Sequence, residues 1–260
     1  MAENLLITFG CSWMYGVGCS YQSGMSADEY KSIAWDEHKC NTLSFRGLLS
    51  SKFKADNINF SQGASSNARQ FRRAKKFFMS DEFKTYQKLY KKIIVLWAIT
   101  STARFELFNV PRNEYVNFNF EPDANEIFPF HKQFTMLVYN HDIVVNELLA
   151  EMYFFNYFFK SNDIHNVWID TFNHHNYKPN ILTNLLFDDE NSRDLLSKLS
   201  VQYNMQGQDT AYHMSTWRED SNKIPFLVNN GILNPYSFHP TGQGHIDIAN
   251  FIEPEIAKFL

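Results

Sequence analysis

The sequence predicts an α/β domain of three layers, in which helices cover both faces of a mostly parallel β-sheet of about five strands. Two observations predict this class. Short apolar segments alternate with amphipathic helical segments along the chain. The length of 260 residues suits one large α/β domain. We therefore expect residues 1–260 to form a single domain.

Short apolar runs predict the strands. They are Leu5–Phe9, Asn57–Phe60, Ile93–Trp97 and Val167–Ile169. The clearest is Ile93–Trp97, an unbroken IIVLW run that is typical of a strand buried on both faces. Strands separated by helices indicate a parallel sheet, and such sheets bind ligands beyond the carboxyl ends of their strands. The segments that directly follow these strands are therefore the candidates for a functional site.

Apolar residues spaced three and four positions apart predict the helices. The stripes are Phe45–Phe53, Phe71–Phe78, Phe134–Phe159 and Ile248–Phe259. Asn67 is the predicted start of the second helix, and Pro254 predicts a kink in the last one. Two segments break the pattern, because 105–132 contains three prolines and 205–237 is polar. We expect an irregular insertion at 105–132 that shapes or covers a site.

Charge and cysteine content argue against several classes of protein. The chain has 28 acidic and 24 basic residues, and its basic residues form no long block beyond Arg72–Lys76. Binding of nucleic acid through phosphate neutralisation is therefore not predicted. Three cysteines without a CxxC pair argue against a disulfide framework. The N-terminus has no basic region and Met152–Phe159 is about half a membrane span, so we expect a cytoplasmic protein with no membrane partner.

The segment Thr8–Gly18, TFGCSWMYGVG, follows the first predicted strand. A serine at Ser12 can project its hydroxyl from a sharp turn at which backbone N–H groups face an oxyanion. The alternative is that Ser12 only caps a helix. The segment lacks the third glycine of a dinucleotide-binding fingerprint, and Cys11 is expected to be buried rather than reactive.

The segment Ile58–Phe71 follows the second predicted strand and leads into a helix. Gly63 lets the backbone approach a ligand closely, and the amide of Asn67 can donate to an anion. The alternative is a polar loop in which Ser65, Ser66 or Asn67 caps the helix.

The third segment, Ile93–Glu106, contains candidate substrate contacts, and the fourth, Ser237–Ala249, contains a candidate base. Thr100, Ser101 and Arg104 follow the clearest strand and are candidates for binding substrate, although Arg104 could instead pair with Glu106. His239 precedes Pro240, which stiffens its loop, and a histidine held in this way near a serine can act as general base. The helical position of His245 favours a packing role.

Together these segments resemble the motifs of the SGNH/GDSL hydrolase family, which follow successive strands of a flavodoxin-like sheet in this order. The matching blocks are Phe9–Ser12, Asn59–Asn67 and His239–His245. The resemblance implies that Ser12 is a nucleophile and His239 its base. It also implies an oxyanion hole formed by the backbone N–H groups of Ser12 and Gly63, with Ala64 as an alternative to Gly63 and with help from Asn67.

The sequence departs from the family's pattern at three points. Cys11 stands where the family usually has aspartate before the serine. The segment Trp97–Arg104 contains no asparagine, although the family's third block supplies one to the oxyanion hole, and Asn67, Thr100 or Ser101 could substitute for it. Tyr236 occupies the place of the triad aspartate, three residues before the histidine. Without that carboxylate the imidazolium is less stabilised and its tautomer is less well determined.

Two arrangements can compensate for the missing aspartate. His239 can work in a Ser-His dyad with a backbone carbonyl as its partner, or Asp170, at the end of the Val167–Ile169 strand, can complete a triad. The remaining carboxylates in the polar segments are harder to place. They are Asp209, Glu219 and Asp220.

We therefore expect a serine ester hydrolase that acts on small acyl esters, such as O-acetyl groups of carbohydrate. The alternative is a catalytically inactive module of the same fold that binds carbohydrate or has a structural role. No cofactor or metal is expected, because His165 and the pair His174–His175 lie at opposite ends of one predicted strand.

Overall fold

Parallel strands form the main sheet, as the sequence predicts. The computed structural model describes residues 2–102, 104–119, 140–170 and 228–260. In chain order its elements are β1 (Asn4–Phe9), α1 (Ser12–Tyr15), α2 (Ala27–Ile33), α3 (Glu37–Leu43), α4 (Phe45–Lys52), β2 (Ala55–Asn59), α5 (Asn67–Phe78), α6 (Asp81–Leu89), β3 (Lys92–Ile99), β4 (Arg104–Asn109), β5 (Glu114–Asn119), α7 (His141–Ser161), β6 (His165–Asp170) and α8 (Gly242–Ala257). The main sheet has the order β2-β1-β3-β6. Its direction and order confirm the α/β class, with four strands in the described residues where the sequence predicts about five.

The register of the sheet brings its carboxyl ends to one level. Phe9 at the end of β1 pairs with Trp97 of β3, and Thr8 pairs with Asn59 at the end of β2. Ile99, the last residue of β3, pairs with Asp170 of β6. The segments that leave these strands therefore start from the same edge, where parallel α/β sheets place their ligands.

Aromatic side chains fill the core on one face of the sheet. Phe9 stacks on Trp97 with ring centroids 4.4 Å apart, and Trp97 stacks on Trp168 at 5.0 Å. Phe71 of α5 and Phe155 of α7 pack over these rings. The opposite face packs against α4 and α8 through aliphatic residues of both strands and helices. The high aromatic content, 17% of the sequence, thus supplies the core.

Serine and threonine caps set where the helices at the sheet edge begin. The hydroxyl of Ser66 accepts a hydrogen bond from the backbone N–H of Arg69 at 3.2 Å, so α5 begins at Asn67 as predicted. Thr241 caps α8 in the same way through the N–H of Gly244. Pro254 lies inside α8.

A β-hairpin occupies the first part of the segment that the sequence predicts to be irregular. β4 and β5 pair in antiparallel fashion, with Phe108 opposite Tyr115. Pro111 and Asn113 belong to the turn between them, and Asn113 has a φ of +50°. Proline and asparagine are turn residues, so they end the strands here instead of preventing them. Residues 120–132 of the predicted insertion lie outside the described residues.

None of the helices in the described residues is long and apolar enough to cross a membrane. All three cysteines are buried and carry free thiols.

Candidate active site

Ser12 lies in a tight turn at the carboxyl end of β1. The chain passes through Gly10 and Cys11 and enters α1, a single helical turn that begins at Ser12. A Cβ at Gly10 would overlap the Cβ of Met14 and lie 3.0 Å from that of Ala98, so the turn requires glycine. Cys11 is fully buried, as the sequence predicts.

Arg46 binds the backbone at the end of this turn. Its Nε donates to the carbonyl of Met14 at 3.0 Å, and its Nη2 donates to the carbonyl of Tyr15 at 3.1 Å. The side-chain oxygens of Asn41 and Asn57 accept two further hydrogen bonds at 2.6 Å each. A fully buried guanidinium thus binds the carbonyls at the end of α1, which holds the segment after Ser12 in one position.

The side chain of His239 lies next to that of Ser12. Its Nε2 lies 2.7 Å from the Oγ of Ser12, although the two residues are 227 positions apart. The side chains are mostly buried and within hydrogen-bond distance. This is the geometry that a serine and its general base require.

Close packing holds the His239 loop against the Ser12 turn. Gly18 has a φ of +96°, and a Cβ there would overlap the carbonyl oxygen of Pro240 and lie 2.9 Å from the Cβ of His239. On the far side of the loop, Nδ2 of Asn234 donates to the carbonyl of His239 at 2.9 Å. A glycine at position 18 therefore lets the two loops approach each other.

The Nδ1 of His239 faces a hydroxyl group. The Oγ of Ser237 lies 2.9 Å from Nδ1, and the phenol oxygen of Tyr30 lies 2.7 Å from the same Oγ. Tyr236, at the family's aspartate position, points away and donates from its hydroxyl to the carbonyl of Met25. Neither Ser237 nor Tyr30 is among the site residues that the sequence predicts. The Ser-x-His spacing is a sequence signal that could have indicated Ser237. Tyr30 is 207 positions from Ser237, so no local sequence pattern indicates it.

Burial keeps the histidines of the site neutral. It lowers the pKa of His239 to about 4; nearby Arg104 acts in the same direction, while a backbone hydrogen bond of Ser237 opposes it. Burial also lowers the pKa of His245 to about 3. Nδ1 of His245 accepts a hydrogen bond from the N–H of Phe45, and the ring stacks on that phenylalanine. His245 therefore packs in the core, as expected.

The predicted oxyanion residues follow β2 at the same edge. The N–H of Gln62 donates to the carbonyl of Gly10, which joins the two segments. Gly63 lies against the ring of Trp35, and Ala64 has a φ of +55°. Asn67 is buried and bound to the backbone of Thr100: its Nδ2 donates to the carbonyl and its Oδ1 accepts from the N–H, both at 2.8 Å.

The residues that the sequence predicts to bind substrate include Thr100, whose backbone is bound to Asn67. Nη1 of Arg104 donates to the hydroxyl of Thr100 at 2.9 Å, and Ser101 lies between them in the sequence. Glu106, the alternative partner for Arg104, receives two hydrogen bonds from Arg72 at 2.7 and 2.9 Å. Arg104 is thus bonded to Thr100, and its positive charge contributes to lowering the pKa of His239.

A cavity of about 770 Å³ extends from Asn67 and Arg104 between α5 and α7. Apolar side chains form much of its wall, including Phe71, Leu148 and Phe154. Polar groups at its rim are Arg72, Lys75, Glu147 and Glu151.

The backbone of Asp170 ends β6 at the edge where His239 lies, but its side chain is outside the described residues, as are Asp209, Glu219 and Asp220. His174 and His175 are also outside them. His165 begins β6, at the other end from Asp170, and stacks on Phe259 at 4.6 Å. The described residues include no group of three or more side chains suited to a metal ion.

Comparison with known proteins finds similarity of fold alone. No family model and no curated protein sequence matches the chain. Solved structures with a similar course of the chain are esterases and lipases. A family two carbohydrate esterase from Cellvibrio japonicus is 10% identical with a TM-score of 0.49, and the match covers 100% of this chain but 62% of that one. TesA is 10% identical with a TM-score of 0.43, over 98% and 99% of the two chains. A lipase/acylhydrolase from Enterococcus faecalis is 10% identical with a TM-score of 0.41, over 98% and 95%.

We expect Gly18→Ala to destabilise the protein more than Gly24→Ala. Both glycines have a left-handed backbone, with φ of +96° and +91°, but only the Cβ at position 18 meets other atoms. The shared backbone strain costs about 1–2 kcal/mol in each variant, and overpacking against Pro240 adds about 1–3 kcal/mol to Gly18→Ala. Urea unfolding of both variants measures the difference. Equal losses would contradict the close seating of the His239 loop.

Acid should weaken the folded state through His239. In the unfolded chain the His239 imidazole has a pKa of about 6.5, whereas in the folded chain burial lowers this pKa to about 4. Protonation of this imidazole therefore favours unfolding as the pH falls between these two values. Between about pH 7 and pH 5 this site removes about 2 kcal/mol from the free energy of unfolding. Urea titrations of His239→Gln should lack that difference, with the exposed His38→Gln as control. The same pH dependence in His239→Gln and the unaltered chain would exclude the buried neutral imidazole.

Proposed function

We propose that this protein is a serine ester hydrolase in which Ser12 is the nucleophile and His239 the general base. The observation that carries the proposal is the 2.7 Å separation of Ser12 Oγ and His239 Nε2 at the carboxyl edge of the sheet. Burial lowers the pKa of His239 to about 4, so the imidazole is neutral near pH 7 and free to accept the serine proton, although it is a weaker base than an ordinary imidazole. The order of the four motifs, which resembles that of SGNH hydrolases, agrees with this assignment.

The reaction proceeds in two halves. The Oγ of Ser12 attacks the ester carbonyl carbon while its proton moves to Nε2 of His239. The tetrahedral intermediate collapses, the bond to the alcohol oxygen breaks, and the alcohol leaves with the proton from Nε2. Water then gives a proton to Nε2 and attacks the acyl group, and a second collapse returns the proton to Ser12 and releases the acid.

The oxyanion is held by the backbone N–H groups of Ser12 and Gly63 in this proposal, with Ala64 as the alternative to Gly63. Asn67 contributes the Nδ2 proton that it does not donate to Thr100. Because both atoms of its amide are already held by Thr100, this donor is oriented before substrate arrives. Each such donor is worth about 10²–10³ in rate.

The substrate is a small acyl ester of a carbohydrate, as the family resemblance implies. In this proposal Thr100, Ser101 and Arg104 contact the part of the substrate next to the ester. Arg104 is bonded to Thr100 and also lines the cavity between α5 and α7, which we propose receives the rest of the substrate. The cationic head of Arg104 favours an anionic or hydroxyl-rich group there. The mostly apolar wall beyond it suits the carbon skeleton.

One observation favours the alternative of an inactive module that binds carbohydrate. His239 Nδ1 faces the hydroxyl of Ser237, an uncharged group that stabilises an imidazolium less than a carboxylate does. The two functions differ in whether Ser12 reacts.

Hydrolysis of p-nitrophenyl acetate and butyrate tests the proposal. Ser12→Ala and His239→Ala should each lower kcat/KM by about 10³-fold or more, because the nucleophile and base act as a unit. Ser51→Ala, at an exposed serine of α4, is the matched control and should keep full activity. A fluorophosphonate probe with mass spectrometry should label Ser12 in the unaltered chain. Equal hydrolysis by all four proteins, with no label on Ser12, would favour the binding module.

The pH dependence of hydrolysis is a separate prediction. Because burial lowers the pKa of His239 to about 4, kcat/KM should stay level from about pH 7 to about pH 5 and fall tenfold per pH unit below about 4. Rates are measured on each ester after a brief exposure to acid, and an aliquot returned to neutral pH checks that the loss is reversible. A reversible decline centred near pH 6.5 would contradict the prediction.

A further inference from the structure

We propose that Ser237 is the positioning residue of His239, and that Tyr30 and Asn234 hold it there as an uncharged substitute for the triad carboxylate. The inference rests on the proposed function, since it concerns the orientation of the base. It follows from the hydrogen bonds behind His239, which can be assigned one proton at a time.

The orientation of the Asn234 amide comes first. Its Oδ1 lies 3.2 Å from the backbone N of Tyr236 and 2.9 Å from that of Ser237, and both are donors. This end must therefore be the oxygen. The other end, Nδ2, donates to the carbonyl of His239 at 2.9 Å and to the phenol oxygen of Tyr30 at 3.3 Å. Asn234 is fully buried, so these partners replace water.

The protons of the two hydroxyls follow. The phenol oxygen of Tyr30 lies 2.7 Å from the Oγ of Ser237, and we assign the phenol as the donor in this contact because Ser237 gives its own proton to Asn234. Ser237 has one proton, and Oδ1 of Asn234, at 3.1 Å, can only accept it. Both lone pairs of Ser237 are then directed to donors, Tyr30 and Nδ1 of His239.

This assignment sets the tautomer of His239. Nδ1 carries the proton and donates it to Ser237 at 2.9 Å, which leaves Nε2 unprotonated and directed at the hydroxyl of Ser12. That is the tautomer a general base needs. Donation from Ser237 to Asn234 also makes its oxygen a stronger acceptor for Nδ1, because linked hydrogen bonds polarise one another.

The surroundings of His239 agree with an uncharged partner. Among the described groups near its ring, Arg104 is cationic, His245 is buried and neutral, and Tyr30 belongs to the network itself. Arg104 lowers the pKa of His239, and the backbone hydrogen bond of Ser237 only partly opposes burial. The carboxyl group of Asp170 is the competing candidate, so the test includes it.

Four substitutions test the inference. Ser237→Ala removes the hydroxyl acceptor but keeps the backbone of Ser237, whose hydrogen bond raises the pKa of His239, so the loss measures the hydroxyl alone. We expect kcat to fall about tenfold or more with little change in KM. Ser237→Thr keeps a hydroxyl and should restore most of the rate. Ser237→Asp places a carboxylate at Nδ1, so the acid limb of the kcat/KM profile should move from about pH 4 toward about pH 6.5 or higher. Asp170→Asn should have a smaller effect on kcat than Ser237→Ala.

The outcomes separate the two proposals. Loss of activity in Ser12→Ala and His239→Ala, with full activity in Ser237→Ala, overturns this inference and leaves the hydrolase intact. A larger loss in Asp170→Asn than in Ser237→Ala assigns the position to Asp170 instead. If Ser12→Ala is as active as the unaltered chain, the hydrolase itself fails. Imidazole nitrogen NMR on the resting protein then still tests the tautomer, since a proton on Nε2 in place of Nδ1 would falsify the assignment.

Discussion

β1 is hydrogen-bonded on both sides, to β2 and to β3, and the register of these two pairings sets the positions of the other site segments. Because Phe9 is level with Trp97 and Thr8 with Asn59, the chain leaves three neighbouring strands at one edge. The Ser12 turn, the Gly63 loop and the Thr100 segment start there, within reach of one another. A slip of one residue in a pairing would turn alternate side chains to the other face and displace one segment along the edge.

Uncharged polar groups make several of the hydrogen bonds that link the described segments of the site. Asn67 binds the backbone of Thr100, Asn234 binds the His239 loop, and the Ser237 hydroxyl faces the imidazole. Buried charges are costly unless they are paired, whereas satisfied amide and hydroxyl groups are tolerated in the interior. An uncharged partner such as the Ser237 hydroxyl also stabilises an imidazolium less than a carboxylate does.

Arg46 shows how the structure accommodates a buried cation in such surroundings. It binds two backbone carbonyls at the end of α1 and two asparagine oxygens, all of them dipoles aligned toward the guanidinium. These hydrogen bonds connect α4, β2 and the segment after Ser12. The Ser12 turn is therefore held by Arg46 as well as by the close packing of Gly18 against the His239 loop.

What the sequence by itself determined is local. The IIVLW run predicts β3, and the serine cap predicts the start of α5 at Asn67. The short motifs around Ser12 and His239 predict them as site residues, and the structure places their side chains 2.7 Å apart. The sequence does not predict the hairpin at 104–119, because a proline such as Pro111 is compatible both with a break in a strand and with the turn between two strands. Only the tertiary structure decided what faces Nδ1 of His239. Tyr30 and Ser237 meet across 207 positions, and a contact made by the packing of distant loops leaves no periodicity or spacing in the sequence.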